Sequence, residues 1–191
     1  MKKESITMPL TDQVVAGLRV GDRLLLNGLI YTARDAAHQR LVAALAAGQL
    51  LPIPLAGQVI YYVGPAPARP GQIIGPAGPT TASRLDPYTP QLLAQGLKGM
   101  IGKGKRNKTV REALVNHRAV YLVTVGGAAA LIAEQIKSVE LVAYPDLGPE
   151  AIYRFEVEAF PVVVANDVYG ADLFEQGQAA YRRSEVYRED H

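Results

Sequence analysis

Apolar positions along the chain change period several times, and each change marks an element. Arg23-Leu24-Leu25-Leu26 and Leu29-Ile30-Tyr31-Thr32 are short β-like runs separated by Asn27-Gly28, a dipeptide suited to the positive φ angles of a two-residue turn. The pattern therefore predicts that the chain opens as an antiparallel hairpin. From Asp35 to Ala47 the period becomes helical: Ala37, Leu41, Ala44, Leu45 and Gly48 recur at helical spacings, Asp35 stands near the start, and Gly48 is a natural stop. Val59-Ile60-Tyr61-Tyr62-Val63 predicts a strand. The sixteen residues from Gly64 to Pro79 hold five prolines and four glycines, which exclude regular helix. We expect an ordered loop there that frames a site, with Ile73-Ile74 pairing as a short strand.

Further on, residues 89–95 predict a helix, Gly99-Met100-Ile101 a short strand and 109–117 a helix. The clearest strand-to-helix signal follows: Ala119 to Val125 is apolar and β-branched, and Gly126-Gly127 leads into the helical run Ala128 to Glu134. Val139 to Val142 and Phe160 to Val164 read as strands, residues 150–158 as helix or strand of mixed character, and 172–190 as a polar, helical tail. With no internal repeat, the expectation is one α/β domain over 1–191, of mixed sheets with flanking helices.

Composition narrows the chemistry. A domain of 191 residues can bury roughly 70% of its unfolded surface, and 49% hydrophobic with 20% charged residues is ordinary globular usage. The formal charge of +2 is too balanced to imply a nucleic-acid or membrane surface. The sequence contains no cysteine, so zinc-thiolate sites, cysteine nucleophiles and cysteinyl iron-sulfur ligation are excluded within this chain. No run resembles a signal peptide or membrane span, and a cytoplasmic location is expected.

Four segments place cations or hydrogen-bond donors where a strand gives way to a loop or helix. Arg34 precedes a helix amino terminus, where a guanidinium and free N–H groups can jointly hold an anion. Asp35 and His38 share one face of that helix; periodicity alone makes Asp35 an N-cap and His38 its surface neighbour. Thr80-Thr81 with Arg84 offers two hydroxyls and a guanidinium, a pattern also met in capping. Ile101 to Lys108 packs four cations into six positions; Lys105, Arg106 and Lys108 read as a solvated basic loop, whereas Lys103, flanked by Gly102 and Gly104, has a backbone that can approach a ligand. Gly126-Gly127 can form an anion-binding nest or simply allow close packing. His117 and His191 carry no expected role, and no residue set suggests a metal site.

In this order, Thr32-Ala33-Arg34-Asp35-Ala36-Ala37-His38, Gly78-Pro79-Thr80-Thr81 with Arg84, Gly102-Lys103-Gly104, Gly126 to Leu131 and Leu147-Gly148-Pro149-Glu150-Ala151-Ile152 resemble the β subunit or carboxy-terminal domain of class I, iron-sulfur-dependent fumarases and tartrate dehydratases. Pro149 departs from the methionine frequent there, and Ala82-Ser83 from a Ser-Gly pair. The resemblance implies a swivelling β/β/α domain and reversible hydration of a dicarboxylate such as fumarate. It implies a [4Fe-4S] cluster on a cysteine-bearing α subunit, in an α2β2 assembly, acting as a Lewis acid. It implies substrate contacts from Arg34, Thr80, Thr81, Arg84 and Lys103, with Thr80 a candidate in proton abstraction aided by Asp35, Lys103 or a partner carboxylate; Asp35 and His38 either act in catalysis or anchor Arg34. Tartrate as substrate, and a non-catalytic anion or nucleic-acid binding module using Lys103 to Lys108, are the competing readings.

Overall fold

The computed structural model describes residues 4–124 and 129–186. In chain order the elements are β1 (Glu4–Thr7), α1 (Asp12–Gly17), β2 (Arg23–Thr32), α2 (Asp35–Ala46), β3 (Val59–Tyr61), a 3-10 turn (Ala82–Leu85), α3 (Thr89–Ala94), β4 (Gly99–Gly102), α4 (Lys108–Asn116), β5 (Val120–Val123), α5 (Ala129–Glu134), β6 (Ile136–Ala143), a second 3-10 segment (Pro145–Glu150), β7 (Ile152–Asn166) and α6 (Leu173–Val186). The fold is mixed α/β, as expected.

Strands β1 to β5 pair in parallel, and β7 runs antiparallel to β2, β5 and β6. Because β7 joins both β2 and β5, the pairings β2-β3-β4-β5-β7-β2 form a closed circuit, with β1 and β6 on its margins. Alternation along each strand separates two cores. Leu24, Leu26, Ile30, Val59, Tyr61, Ile101, Val120, Leu122, Phe155, Phe160 and Val162 share one cluster, to which every strand of the circuit contributes, so this is the barrel interior. Ile60, Tyr62, Met100, Tyr121 and Ala165 face the other way and pack with Ala37, Leu41, Leu92, Val110 and Leu114 of the helices. A strand buried on both faces must be apolar at consecutive positions, which is why Val59 to Val63 shows no alternation.

The hairpin predicted at Asn27-Gly28 does not form. One ten-residue strand runs through the dipeptide, and the register against β7 slips between Leu26 and Gly28. Gly28 takes φ +102° and Ala159 opposite takes φ +51°, while Asn27 Oδ1 accepts the Ala159 N–H at 2.9 Å. The turn chemistry is real but is spent on a bulge, because burial of Leu24, Leu26 and Ile30 on one barrel face rewards an unbroken strand. The 150–158 stretch belongs mostly to the fifteen-residue β7. Ile73-Ile74 forms no strand; Ile74 enters the interior core and Ile73 is exposed. Gly126-Gly127 lies outside the described residues.

Helix α2 ends as predicted, with Gly48 at φ +66° and the Gly48 and Gln49 amides returning to Leu45 and Ala44 carbonyls, a Schellman closure. Its start differs: Arg34 is the N-cap residue and Asp35 the first helical one. Among the described residues no helix is long and apolar enough to cross a membrane.

The bulge yields a test. Gly28→Ala places a side chain at positive φ, 3.4 Å from Met8 Cβ, and should destabilise the fold by about 1–2 kcal/mol in urea unfolding. Gly17→Ala, in open space at a helix end, should be neutral or slightly stabilising.

Candidate active site

Three parallel strands, β2, β3 and β4, release the chain at the same end of the sheet, where α/β folds gather their ligands. Beyond β2 stands Arg34, beyond β3 Tyr62 to Gly64, and beyond β4 Lys103. The segment Thr80 to Ala82 inserts between the last two. Thr80 N donates to the Tyr62 carbonyl at 2.7 Å, Lys103 N to the Thr80 carbonyl at 3.2 Å, and Ala82 N to the Lys103 carbonyl at 2.9 Å. Thr81 and Lys103 are bridge partners in this short parallel ladder. The hydroxyl pair and the lysine, twenty-two residues apart in sequence, are thereby neighbours on one rim.

Arg34 and Arg84 meet through acidic residues. Arg84 Nε donates to Asp35 Oδ1 at 2.8 Å, and Arg34 Nη2 lies 3.8 Å from Asp35 Oδ2 and 3.2 Å from Glu150 Oε1. The second Glu150 oxygen accepts the Ala36 N–H at 3.2 Å, so a carboxylate of the protein itself sits at the α2 amino terminus beside Arg34. Gly64 makes room for this guanidinium: a Cβ there would stand 3.0 Å from Arg34 Nη1 and 3.2 Å from the Pro149 carbonyl. Arg34, Asp35, Thr80 and Glu150 are half-buried, while Thr81, Arg84 and Lys103 are exposed. Three cations against two carboxylates leave the rim net positive, suited to an anion.

His38 is not a surface neighbour; it is fully buried. Nδ1 lies 2.9 Å from the Arg34 carbonyl, which can only accept, so Nδ1 carries the hydrogen. The ring meets Tyr62 edge-on at 5.3 Å. Burial pushes its pKa down to about 4; the Arg34 hydrogen bond opposes the shift and the nearby Arg106 charge adds to it. The imidazole is therefore neutral and braces the backbone of Arg34 from behind.

The solvated-loop reading also fails for Arg106, which is only 4% exposed, with its guanidinium bonded to Asp86, Thr89 and Tyr62. Lys105 and Lys108 are exposed as expected. The space Gly102 leaves is occupied by Tyr62 and Ala82 rather than open: a Cβ would stand 2.9 Å from the Tyr62 ring and 3.2 Å from Ala82 Cβ. Gly104 is required by its φ of +82°. Periodicity carried no signal for Tyr62, Asp86 or Arg106, because their partners are far off in sequence; Glu150 lay within a motif whose charge had no assigned partner.

Protonation of His38 links this brace to stability. Above pH 6.5 the imidazole is neutral in folded and unfolded chains alike. Between pH 6.5 and about 4 the unfolded chain takes a proton that the folded chain refuses, so stability falls with falling pH, by up to about 3 kcal/mol. His38→Gln should lack this component: its loss of urea-unfolding free energy between about pH 7.5 and about pH 4.5 should be smaller than the parent's by about 2 kcal/mol.

Comparison with known proteins places this chain in a lineage. The sequence model of the family described as "Fumarase C-terminus" matches residues 2–177. The chain is 45% identical over 161 residues to "Fumarate hydratase class I, aerobic" of Escherichia coli, covering 83% of this chain and 29% of that protein. It is 42% identical over 171 residues to "Fumarate hydratase 1, mitochondrial" of Leishmania major, covering 88% and 31%. It thus spans under a third of the length of either fumarate hydratase. A third relative, "Putative L(+)-tartrate dehydratase subunit beta" of Methanocaldococcus jannaschii, is 36% identical over 173 residues, covering 87% of this chain and 89% of that protein. On its sequence and on the reach of the match, the chain belongs to the fumarase C-terminus family.

Proposed function

We propose that this chain supplies the substrate-gripping part of a fumarase-type hydro-lyase that interconverts fumarate and malate. The observation that carries the reading is the convergence of Arg34, Thr80, Thr81, Arg84 and Lys103 at the ends of three parallel strands, joined by the Thr81–Lys103 bridge and the Asp35 link. A dicarboxylate brings two negative charges, and removal of a proton beside a carboxylate develops more on its oxygens. Cations fixed in advance lower the free energy of that charge without reorganising during the reaction. Thr80, half-buried and held by its backbone, is the hydroxyl we assign to proton abstraction, with Thr81 as a donor to substrate oxygen. Asp35 holds Arg84 and lies near Arg34, and His38 is sealed from substrate; we assign both positioning roles.

The residues of this chain do not fit an iron-sulfur cluster. The sequence has no cysteine, and among the described residues no three His, Asp or Glu side chains stand together as a metal site. We assign the [4Fe-4S] cluster of the class I fumarases to a cysteine-bearing α-type partner, in an α2β2 cytoplasmic enzyme. A second reading, dehydration of tartrate, is favoured by the relative that this chain covers over most of its length.

Co-purification with such a partner, cluster reconstitution and anaerobic assay should give fumarate hydration that needs both chains. Arg34→Ala and Lys103→Ala should each lower kcat/KM by about a hundredfold, the loss of roughly 3 kcal/mol of charge stabilisation. A loaded complex active on tartrate and inert to fumarate would transfer the assignment to the second reading. Strongly salt-dependent oligonucleotide binding without turnover would replace both.

A further inference from the structure

The loop from Lys103 to Asn107 is fastened by a side chain hidden from solvent. Arg106 Nε donates to Asp86 Oδ1 at 2.7 Å, Nη2 to Thr89 Oγ1 at 2.6 Å and Nη1 to the Tyr62 hydroxyl at 3.2 Å. Its guanidinium carbon lies 5.5 Å and 5.0 Å from the Tyr62 and Tyr121 ring centres. Asp86 answers with its other oxygen, accepting the Asn107 N–H at 2.9 Å, and the Tyr121 hydroxyl donates to the Gly104 carbonyl at 3.0 Å. Burying an ion pair is a poor source of stability, since desolvation consumes most of the attraction. What such a pair can provide instead is a single register for the segments it joins.

Those segments are the ones that carry the site. Asp86 closes the 3-10 turn that presents Arg84. Arg106 and Gly104 end the loop that presents Lys103. Tyr62 abuts the His38 ring, whose Nδ1 holds the Arg34 carbonyl, and its own carbonyl receives the Thr80 N–H. We propose that Arg106 is a positioning residue for the carboxylate site, one guanidinium that sets Lys103 against Arg84 and, through Tyr62, against Arg34. The proposal rests on reading that rim as a dicarboxylate site.

The test compares the parent, Arg106→Lys, Tyr121→Phe and, as a control, the exposed Lys108→Ala, by kinetics of the assembled complex and by amide exchange of the full chain. Lysine keeps the charge but cannot reach three acceptors at once. Arg106→Lys should lower kcat/KM for fumarate by between about tenfold and a hundredfold, mainly through KM, as displaced binding groups do. It should also speed exchange at Lys103 N and Ala82 N, the amides of the Thr80–Lys103 ladder. Tyr121→Phe should move the same readouts less, and Lys108→Ala should move neither. A folded Arg106→Lys with parental KM and parental exchange overturns the proposal, as does one whose only change is a lower Tm. If Arg106→Lys fails to fold, Tyr121→Phe decides by the same two readouts. A parent complex inert to fumarate refutes the hydro-lyase reading instead, and the exchange comparison still shows whether Arg106 holds this loop.

Discussion

Closure of the sheet by β7 is the constraint on which the remaining geometry depends. A parallel run of strands has two edges, and each edge leaves backbone donors and acceptors unpaired. By pairing with β2 along most of its length and with β5 near its end, β7 removes both edges of the five-strand circuit. Closure also creates an interior that only one face of each strand can fill, which fixes the register of every strand and requires the bulge at Gly28 and Ala159 to keep Leu26 and Phe160 pointing inward. Tyr61 and Phe160 meet edge-on inside at 5.3 Å, and the Tyr61 hydroxyl donates to the Ala77 carbonyl, so the proline- and glycine-rich loop is tied to the same interior.

Because β2, β3 and β4 are parallel within that closed circuit, their carboxy-terminal ends are neighbours whatever lies between them in sequence. The loop that leaves β3 at Gly64 returns as Thr80 to Ala82, wedged where the extensions of β3 and β4 part. The rim is therefore a product of topology before it is a product of side-chain chemistry, and the helices packed outside it contribute the amino terminus of α2 and the brace of His38.

Much of this was legible in the sequence, and the failures share a cause. Helices α2 and α4 and strands β3, β4 and β5 announce themselves through local period, and α2 also through its Gly48 stop, whereas the Asn107 side chain that caps α4 by accepting the Val110 N–H was not read. Arg34, the Thr80-Thr81 pair, Arg84 and Lys103 were legible as motif residues, and the fold brings their segments together. The hairpin reading failed because Asn27-Gly28 specifies positive φ but not whether the strand continues, which closure decides. Arg106 and His38 were misread because burial of a charged or titratable group is set by partners and rings distant in sequence, such as Asp86 and Tyr62 for Arg106 and Tyr62 for His38, and local pattern contains neither. Glu150 illustrates the same limit, since it meets Arg34 from 116 positions downstream.

The ion pairs of this region differ by depth, and the difference follows from solvent. Arg106 and Asp86 are 0% and 5% exposed at their side chains, so neither can exchange partners without leaving a buried charge bare. Arg34, Asp35 and Glu150 are 23–28% exposed, and Arg84 is 54% exposed. Pairs at that exposure contribute little to stability, because water screens the attraction and competes for each partner. They still hold the guanidiniums in place when no ligand is present, at the expense of part of the positive potential. Each guanidinium is held by single contacts, Arg84 Nε to Asp35 at 2.8 Å and Arg34 Nη2 to Glu150 at 3.2 Å. On the proposed reading an incoming dicarboxylate, offering a bidentate acceptor, would therefore compete for them without dismantling the fold. On that reading the deep pair sets the geometry and the shallow pairs yield to the ligand.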